Sequence, residues 1–279
     1  MAILVTGANG QLGHDVVNEL SARGIDCKGV DLADFDLTNR AETLAAIAEY
    51  SPEAVIHCAA YTAVDKAEDD RDVCFAVNVD GTQNIADACR AIGAKMMYIS
   101  TDYVFDGEGD APFETDSPTG AKSHYGYTKR CGEEQVMAAL TDWFILRISW
   151  VFGQNGNNFV KTMLRLAESR DTISVVGDQI GSPTYTFDLA RLICDMIVTD
   201  RYGIYHATNE GLCSWSEFAA EIFKIAGKPV TVTAISTEDY PTKAVRPKNS
   251  RLSKASLDAA GFSRLPDWRD ALARYIGQL

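Results

Sequence analysis

The sequence has few basic residues for its size. Its 279 residues include 26 Lys and Arg against 39 Asp and Glu, a formal net charge of −13, and the isoelectric point is near 4.7. Binding to nucleic acid or to anionic lipid without sequence preference needs a basic surface. We therefore expect no nucleic acid and no membrane among its partners. Any phosphate on a ligand must be held locally, by a helix N-terminus or by a few placed Arg and Lys side chains.

Long apolar runs and paired cysteines are also missing. No stretch approaches the ~20 apolar residues that cross a bilayer, and Met1 leads directly into "AILVTG" without the features of a secretory signal. We therefore expect a soluble protein with a cytoplasmic address. The seven cysteines include no C-x-x-C pair and no His partner at metal-ligand spacing, so we expect reduced thiols and no metal site.

The first half of the chain alternates regularly between β-rich and helical segments. Strands are predicted at 2–6, 26–30, 54–59, 94–100 and 143–149, and helices at 11–22, 39–50, 72–92 and 125–139. The strands are nearly continuous runs of hydrophobic residues, which is typical of a sheet covered by helices on both faces. The pattern predicts an α/β fold with a doubly wound parallel sheet, the Rossmann architecture.

The alternation loosens after about residue 150. Helices are predicted near 157–169, 187–199 and 268–277, separated by short β-rich segments and one polar stretch that contains proline. We expect residues 1–150 to form the Rossmann domain. Residues 151–279 should form mainly a smaller C-terminal lobe, partly interleaved with the last strands of the sheet, that closes over a cleft.

A glycine-rich turn follows the first predicted strand. "VTGANGQLG" places Gly7, Gly10 and Gly13 between that strand and the first helix. Glycines there allow a tight turn and a close approach of the backbone to a pyrophosphate, which then lies at the helix N-terminus. The spacing alone is also compatible with a turn that binds no ligand. A dinucleotide site is therefore a hypothesis that needs support from other residues.

Carboxylates and small residues farther along supply that support. Asp31 ends the second predicted strand, where it could accept hydrogen bonds from the adenosine ribose or cap a helix. Asp36 and Leu37 in "FDLTN" could flank an adenine, although Asp36 could equally be a turn residue. Ala59 and Ala60 would let a cofactor lie close to the backbone. A carboxylate at Asp31 repels a 2′-phosphate and so favours NADH over NADPH.

A possible acid–base pair lies in "HYGYTKR". Residues four apart share a helix face, so Tyr125 and Lys129 are neighbours while Tyr127 points elsewhere. A close ammonium favours the phenolate and is expected to lower the tyrosine pKa, which would make the pair a general acid or base. Thr101, at the end of a strand in "YISTDYVFDG", could hydrogen-bond a substrate carbonyl. The same residues could also be a helix-surface pair and a strand-end cap.

With these motifs the sequence resembles the extended short-chain dehydrogenase/reductase superfamily and, more narrowly, its dTDP-4-dehydrorhamnose reductase family. The narrower resemblance rests on "GANGQLG", "AAYTAVDKAE", "NVDGT", "STDYVFDG", "YGYTK", "RISWVFG" and "RPKNSRLS". It implies NADPH- or NADH-dependent reduction of the 4-keto group of dTDP-4-dehydro-β-L-rhamnose to dTDP-L-rhamnose. It also implies that 1–150 binds the dinucleotide and that the C-terminal lobe binds the dTDP-sugar.

The resemblance further implies a role for each matching residue. Tyr125 would protonate the developing alkoxide, Lys129 would lower its pKa and hold the nicotinamide ribose, and Thr101 would polarise the carbonyl. Besides Gly7 and Gly13, the implied cofactor contacts are Gly10, Gln11, Leu12, Asp31, Asp36, Leu37, Ala60, Tyr61, Thr62, Tyr125 and Lys129. The implied sugar contacts are Asp102 and Trp150. We add Arg246 as a candidate for the substrate diphosphate, because a guanidinium binds phosphate through two hydrogen bonds; the alternative is a surface salt bridge.

The sequence departs from the family pattern at some positions, and several alternative functions stay open. Some members of the family are dimers joined by a metal on carboxylates, but "SPTYTFDLARL" supplies only Asp188 there, so we expect no metal and a monomer or another homodimer. Related dehydratases carry Asp and then Glu after the threonine, whereas Tyr103 follows Asp102 here. A 4-epimerase, another sugar-nucleotide reductase and a catalytically silent dinucleotide-binding subunit remain as alternatives.

Overall fold

A six-stranded parallel sheet forms the centre of the molecule. The computed structural model describes residues 1–279, and the strand order is β2-β1-β3-β4-β5-β10. The strands, numbered along the chain, are β1 (Ile3–Thr6), β2 (Cys27–Val30), β3 (Ala54–His57), β4 (Lys95–Thr101), β5 (Trp143–Ile148) and β10 (Gly203–His206). The prediction of a doubly wound parallel sheet is confirmed.

Helices cover both faces of this sheet. They are α1 (Gln11–Ala22), α2 (Arg40–Tyr50), α3 (Arg71–Phe75), α4 (Thr82–Ile92), α5 (His124–Ala139), α6 (Phe159–Leu166), α7 (Thr186–Ile197), α8 (Trp215–Ile225), α9 (Ala255–Ala260) and α10 (Trp268–Ile276). In β1, Ile3 and Val5 join the core under α1, α7 and α9, while Leu4 joins the core under α2, α4 and α5. This alternation explains why the strand reads as an unbroken apolar run.

The predicted helix at 72–92 is one helical stretch with an irregular centre. Between α3 and α4, residues Ala76–Gly81 form a π-helical segment. Asn78 within it accepts a hydrogen bond from the Tyr61 N–H (2.8 Å) and donates to the Thr128 hydroxyl (3.0 Å). The widened turn therefore ties the loop after β3 to α5, and periodicity does not reveal such an insertion.

The second half of the chain builds a smaller lobe. It also completes the large sheet with β10 and covers one face of that sheet with α7. Its own strands are β6 (Val151–Phe152), β7 (Thr172–Val176), β8 (Ile180–Gly181), β9 (Thr184–Tyr185), β11 (Cys213–Ser214), β12 (Thr231–Ile235) and β13 (Asn249–Ser250). They pair as β6 with β9, β7 with β12, and β8 between β11 and β13. Phe152, Phe218 and Trp268 centre a separate apolar core beside α6, α8 and α10. No helix combines the length and hydrophobicity that a bilayer-spanning segment requires.

Candidate active site

The glycine turn lies where the sheet changes direction. β1 has β2 on one side and β3 on the other, and ligands of such sheets bind at the carboxyl ends of the strands beside this switch point. Gly7 has a φ of +68°, and a Cβ there would lie 2.7 Å from the Ala59 nitrogen. A Cβ on Gly13 would lie 2.1 Å from the Gly7 carbonyl oxygen. Only glycine fits at either position.

The N-terminus of α1 suits an anion. Gly10 precedes the helix, and no side chain caps its first N–H groups, so these donors and the positive end of the helix dipole can serve a phosphate. The Leu12 side chain is buried in the core beneath the sheet, which leaves only its backbone for a ligand. Gln11 accepts a hydrogen bond from Asn158 of the second lobe at 3.1 Å.

A cavity of about 390 Å³ opens beside this turn. The residues that line it are Thr6, Gly7, Asn9, Gly10, Val30, Asp31, Leu32, Phe35, Asp36, Leu37, Cys58, Ala59, Ala60 and Val77. The Asp31 carboxylate accepts from the backbone N–H groups of Asn9 and Leu32, both at 2.9 Å. Asp36 accepts from the Thr38 backbone (2.9 Å) and hydroxyl (2.8 Å), so it is also a turn residue. The shape and the donors fit an adenosine with its phosphates, and the lining includes no Lys or Arg.

The loop after β3 places the other predicted cofactor residues at the edge of this cavity. Ala60 lines the cavity directly. The Tyr61 phenol donates to Asp70 at 3.0 Å and so turns away from it, while Thr62 is exposed. A ligand would therefore meet the backbone at Tyr61 before it met the ring.

Thr101 and Tyr125 meet at the end of β4. The Tyr125 phenol lies beside the Thr101 hydroxyl, which donates to Asp102 Oδ1 at 3.0 Å. Tyr125 lies in the first turn of α5, which Ser123 caps through the Gly126 N–H at 3.1 Å. Tyr127 on the same helix is 51% exposed and lies outside the cluster. The structure thus places Thr101 beside Tyr125, which is the tyrosine that helical spacing selects.

The charges of the cluster differ from the sequence expectation. Burial raises the Tyr125 pKa above its ordinary value, against a small lowering by Thr101. The expected lowering by Lys129 is not found, because burial also lowers the Lys129 pKa to about 7. The Lys129 ammonium lies 4.0 Å from the centre of the Tyr98 ring. At neutral pH the phenol is therefore fully protonated, the state that a proton donor needs.

Asp102 is a buried carboxyl group beside the same hydroxyl. Its side chain is 3% exposed, and burial raises its pKa to about 6. Its second oxygen, Oδ2, has no hydrogen-bond partner within the protein. A buried oxygen of this kind costs free energy unless a ligand hydroxyl donates to it.

A second cavity of about 930 Å³ lies between the Rossmann sheet and the smaller lobe. Tyr103, Asp65, Arg170, Trp215 and Arg246 are among its lining residues. The Arg246 guanidinium pairs with the Asp65 carboxylate and donates to the Tyr103 hydroxyl at 3.1 Å. Arg246 is thus both in a salt bridge and at the cleft, so the two alternatives from the sequence coexist.

Trp150 is held beside this cleft in an unusual conformation. Its φ is +51°, which a bulky residue rarely adopts. Its ring stacks on Trp215 with centroids 3.9 Å apart and an interplanar angle of 18°. Strained residues of this kind concentrate at functional sites.

Sequence reasoning missed several residues of the site. The Tyr103 ring packs edge-on against Tyr125 with centroids 5.6 Å apart, and Trp215 and Arg170 come from distant segments. A tyrosine directly after Thr101 and Asp102 was a usable signal for the first. No local sequence pattern predicts Trp215 or Arg170 at the site, because only the fold of the smaller lobe brings them to the cleft.

Asp188, the carboxylate considered as a possible metal ligand, is fully engaged. Arg274 donates to its two oxygens at 2.9 and 2.7 Å, and Asn209 donates at 2.9 Å. No group of three or more His, Cys, Asp or Glu side chains is arranged to hold a metal ion. The absence of a metal stays a prediction.

The fold and the Thr-Tyr-Lys cluster define an extended short-chain dehydrogenase/reductase. The family model described as "RmlD substrate binding domain" matches residues 1–279. The chain is 42% identical to a dTDP-4-dehydrorhamnose reductase of Streptomyces griseus (96% of this chain, 91% of that one). It is 40% identical to the spore coat polysaccharide biosynthesis protein SpsK of Bacillus subtilis (strain 168), with 98% and 96% covered.

A solved structure agrees with these relatives. The crystal structure of dTDP-4-dehydrorhamnose reductase from Bacillus anthracis str. Ames in complex with NADP superposes with a TM-score of 0.97 at 43% identity, covering 100% of this chain and 99% of that one. The chain belongs to the dTDP-4-dehydrorhamnose reductase family. The resemblance predicted from its motifs is confirmed.

Proposed function

We propose that the protein reduces the 4-keto group of dTDP-4-dehydro-β-L-rhamnose to give dTDP-L-rhamnose. The observation that carries this proposal is the position of Thr101 and Tyr125 between the two cavities. Lys129 lies on the dinucleotide side near Cys58, and Tyr103 packs against Tyr125 on the cleft side. Full-length membership in the family supports the substrate. We assign residues 1–150 to dinucleotide binding and 151–279 mainly to substrate binding.

The first cavity is proposed to hold a nicotinamide dinucleotide, which supplies the hydride when bound. The α1 N-terminus would hold its pyrophosphate, Asp31 its adenosine ribose, and Lys129 with Tyr125 its nicotinamide ribose. Asp36, Leu37, Ala60 and the backbone at Tyr61 and Thr62 would complete the walls. Both NADH and NADPH are expected to serve, with NADH preferred, because two carboxylates and no cation line the adenosine end.

The chain's own residues supply the proton and the polarisation. Tyr125 is buried and protonated at neutral pH, so its hydroxyl can give the proton to the oxygen at C4 as that oxygen becomes an alkoxide. Thr101, whose hydroxyl donates to Asp102 Oδ1 without a ligand, would turn that hydrogen to the same oxygen and hold the carbonyl in place. Lys129 would stabilise the tyrosinate that remains. Net addition of one hydride and one proton converts the ketone to an alcohol.

The sugar and the diphosphate are assigned to the second cavity. Asp102 Oδ2 would accept a hydrogen bond from a sugar hydroxyl, and Trp150 would pack on the sugar ring. Arg246 would bind the diphosphate, for which it must exchange part of its contact with Asp65. Arg170 lines the same cavity and adds positive charge there.

Two further proposals concern the setting of the enzyme. We expect it to act in the cytoplasm as a monomer or homodimer, without nucleic acid, membrane or metal. Sedimentation equilibrium with and without EDTA checks the assembly and the metal together.

The test follows NADH and NADPH absorbance with enzymatically prepared dTDP-4-dehydrorhamnose. Wild-type protein and Tyr127→Phe should consume both cofactors, whereas Tyr125→Phe should lose at least 10²-fold in kcat, the usual scale of general acid catalysis. Tyr127→Phe is the matched control, since it removes a phenol from the exposed side of the same helix. Equal losses in both variants, or no consumption by wild type, would overturn the proposal.

A further inference from the structure

A buried ion pair lies directly behind the catalytic cluster. Glu133 is 0% exposed and Arg147 3% exposed. Arg147 Nε and Nη2 donate to Glu133 Oε1 and Oε2, both at 2.8 Å. Burying two charges is costly, and a hydrophobic pair of similar volume is often at least as stable. The position of the pair therefore calls for an explanation beyond stability.

The pair connects the elements that carry the proposed catalytic groups. Glu133 belongs to α5, and the Ser100 hydroxyl of β4 donates to it at 2.6 Å. Ser100 directly precedes Thr101 and lies opposite Arg147 in the register of β4 and β5. Arg147 Nη1 donates to the Thr115 carbonyl, at 3.0 Å, in the connection between β4 and α5. One carboxylate thus links the helix of Tyr125 to the strand of Thr101.

Glu133 also lies on the same face of α5 as the other two residues. Tyr125, Lys129 and Glu133 are spaced four apart, so they form one stripe along the helix. All three are buried. The next carboxylate, Glu134, points to solvent with its side chain 52% exposed and pairs with Arg130 at 3.1 Å.

Glu133 supplies the negative charge that faces the Lys129 ammonium. The ionisable groups around that ammonium are Tyr98 on β4, His57 on β3, Cys58 after β3, Cys74 on α3, and Tyr125 and Glu133 on α5. Burial raises the pKa values of Tyr98, Cys58 and Cys74 and lowers that of His57 to about 3. These groups are therefore neutral near pH 7. Burial lowers the Lys129 pKa to about 7, and Glu133 opposes this effect.

We propose that Glu133 is a positioning residue for the reduction. Its carboxylate, held by Arg147 and Ser100, keeps the Lys129 ammonium charged and keeps Tyr125 in register with Thr101. The importance of Glu133 for catalysis rests on the proposed function of Lys129. The effect of Glu133 on the charge of Lys129 can be measured whether or not that function is correct.

The experiment follows the ionisation of Lys129 in the full-length protein by NMR of ¹³Cε-labelled lysine. The signal is assigned by its absence from Lys129→Met. Glu133→Gln keeps the shape and the contact with Ser100 but removes the charge, and should lower the Lys129 midpoint by about one pH unit, the lower end of the range for a close opposite charge. Glu134→Gln removes a carboxylate from the exposed side of α5 and should leave both the midpoint and the basal activity unchanged.

Glu133→Gln leaves Arg147 buried without its carboxylate and could unfold the protein. The double variant Glu133→Gln/Arg147→Met removes both charges, and it should show the same lowered midpoint. A Glu133→Gln or double variant that folds and titrates at the wild-type pH overturns the proposal.

The pH profile of kcat/KM separates this inference from the proposed function. If the alkaline limb of that profile moves with the Lys129 midpoint, the role of Glu133 and the proposed function are both supported. If the midpoint moves and the limb does not, the charge effect of Glu133 is supported, and the failure falls on the proposed role of Lys129.

Discussion

Replacing Asp102 with asparagine is expected to stabilise the protein while it weakens the reaction. Burial raises the Asp102 pKa from 3.8 to about 6, about two units, and each unit corresponds to about 1.4 kcal/mol. Because the folded pKa is the higher one, the native state loses stability as pH rises through this range. At pH 7.5 the ionised carboxyl thus costs about 3 kcal/mol, whereas at pH 4.5 it costs about 1 kcal/mol.

Asparagine avoids this cost, but it places a polar amide atom at the position of Oδ2, which has no hydrogen-bond partner. Leaving that buried amide atom unpaired costs about 1 kcal/mol. Asp102→Asn should therefore be more stable by about 2 kcal/mol at pH 7.5 and about equal to wild type at pH 4.5. Urea unfolding of both proteins at the two pH values measures the difference. The substrate KM should rise about tenfold, as expected from losing about 1.4 kcal/mol of a hydrogen bond to a charged acceptor. A gain that is independent of pH, or a destabilised variant at pH 7.5, would refute this reasoning.

Three further outcomes are expected. Gly13→Ala would put a methyl group 2.1 Å from the Gly7 oxygen and should abolish dinucleotide binding measured by calorimetry. Gly24→Ala, whose Cβ meets nothing within 4 Å but whose φ is +69°, should lose some stability and still bind normally. Lys129→Met should raise Tm most below pH 7, because the Lys129 pKa in the folded protein, about 7, lies below its ordinary value. The gain in Tm should shrink as pH rises towards 10, and a gain that grows with pH contradicts this prediction. Asp31→Ser should shift the kcat/KM ratio towards NADPH by about tenfold, or 1.4 kcal/mol, and an unchanged ratio would remove Asp31 from cofactor choice.

Most of the Rossmann half could be predicted because its signals are local. Runs such as "AILVT" are apolar on both faces, and the helix predicted at 11–22 is observed as Gln11–Ala22. The π-helical segment Ala76–Gly81 could not be predicted, because it depends on Asn78 reaching Tyr61 and Thr128. Hydrophobic periodicity indicates which face of a helix is buried, but it does not predict side-chain hydrogen bonds of this kind.

The candidate site was predictable where one helix or one turn carries it. Helical spacing separates Tyr125 from Tyr127, and Gly7 and Gly13 are needed by the turn itself. The electrostatics were not predictable from spacing, because burial raises the Tyr125 pKa and lowers the Lys129 pKa to about 7. Burial depends on the whole fold, and here it outweighs the charge of a neighbour.

The central claim, that hydride reaches C4 of a 4-keto sugar nucleotide in this site, is tested most directly by isotope transfer. The protein is supplied with NADH deuterated at the transferable position of the nicotinamide and with dTDP-4-dehydrorhamnose, and the product is examined by NMR and mass spectrometry. The account predicts one deuterium, at C4 of dTDP-L-rhamnose, and the same product at a much lower rate with Tyr125→Phe. A product without deuterium at C4, or with the label at another carbon, would contradict it.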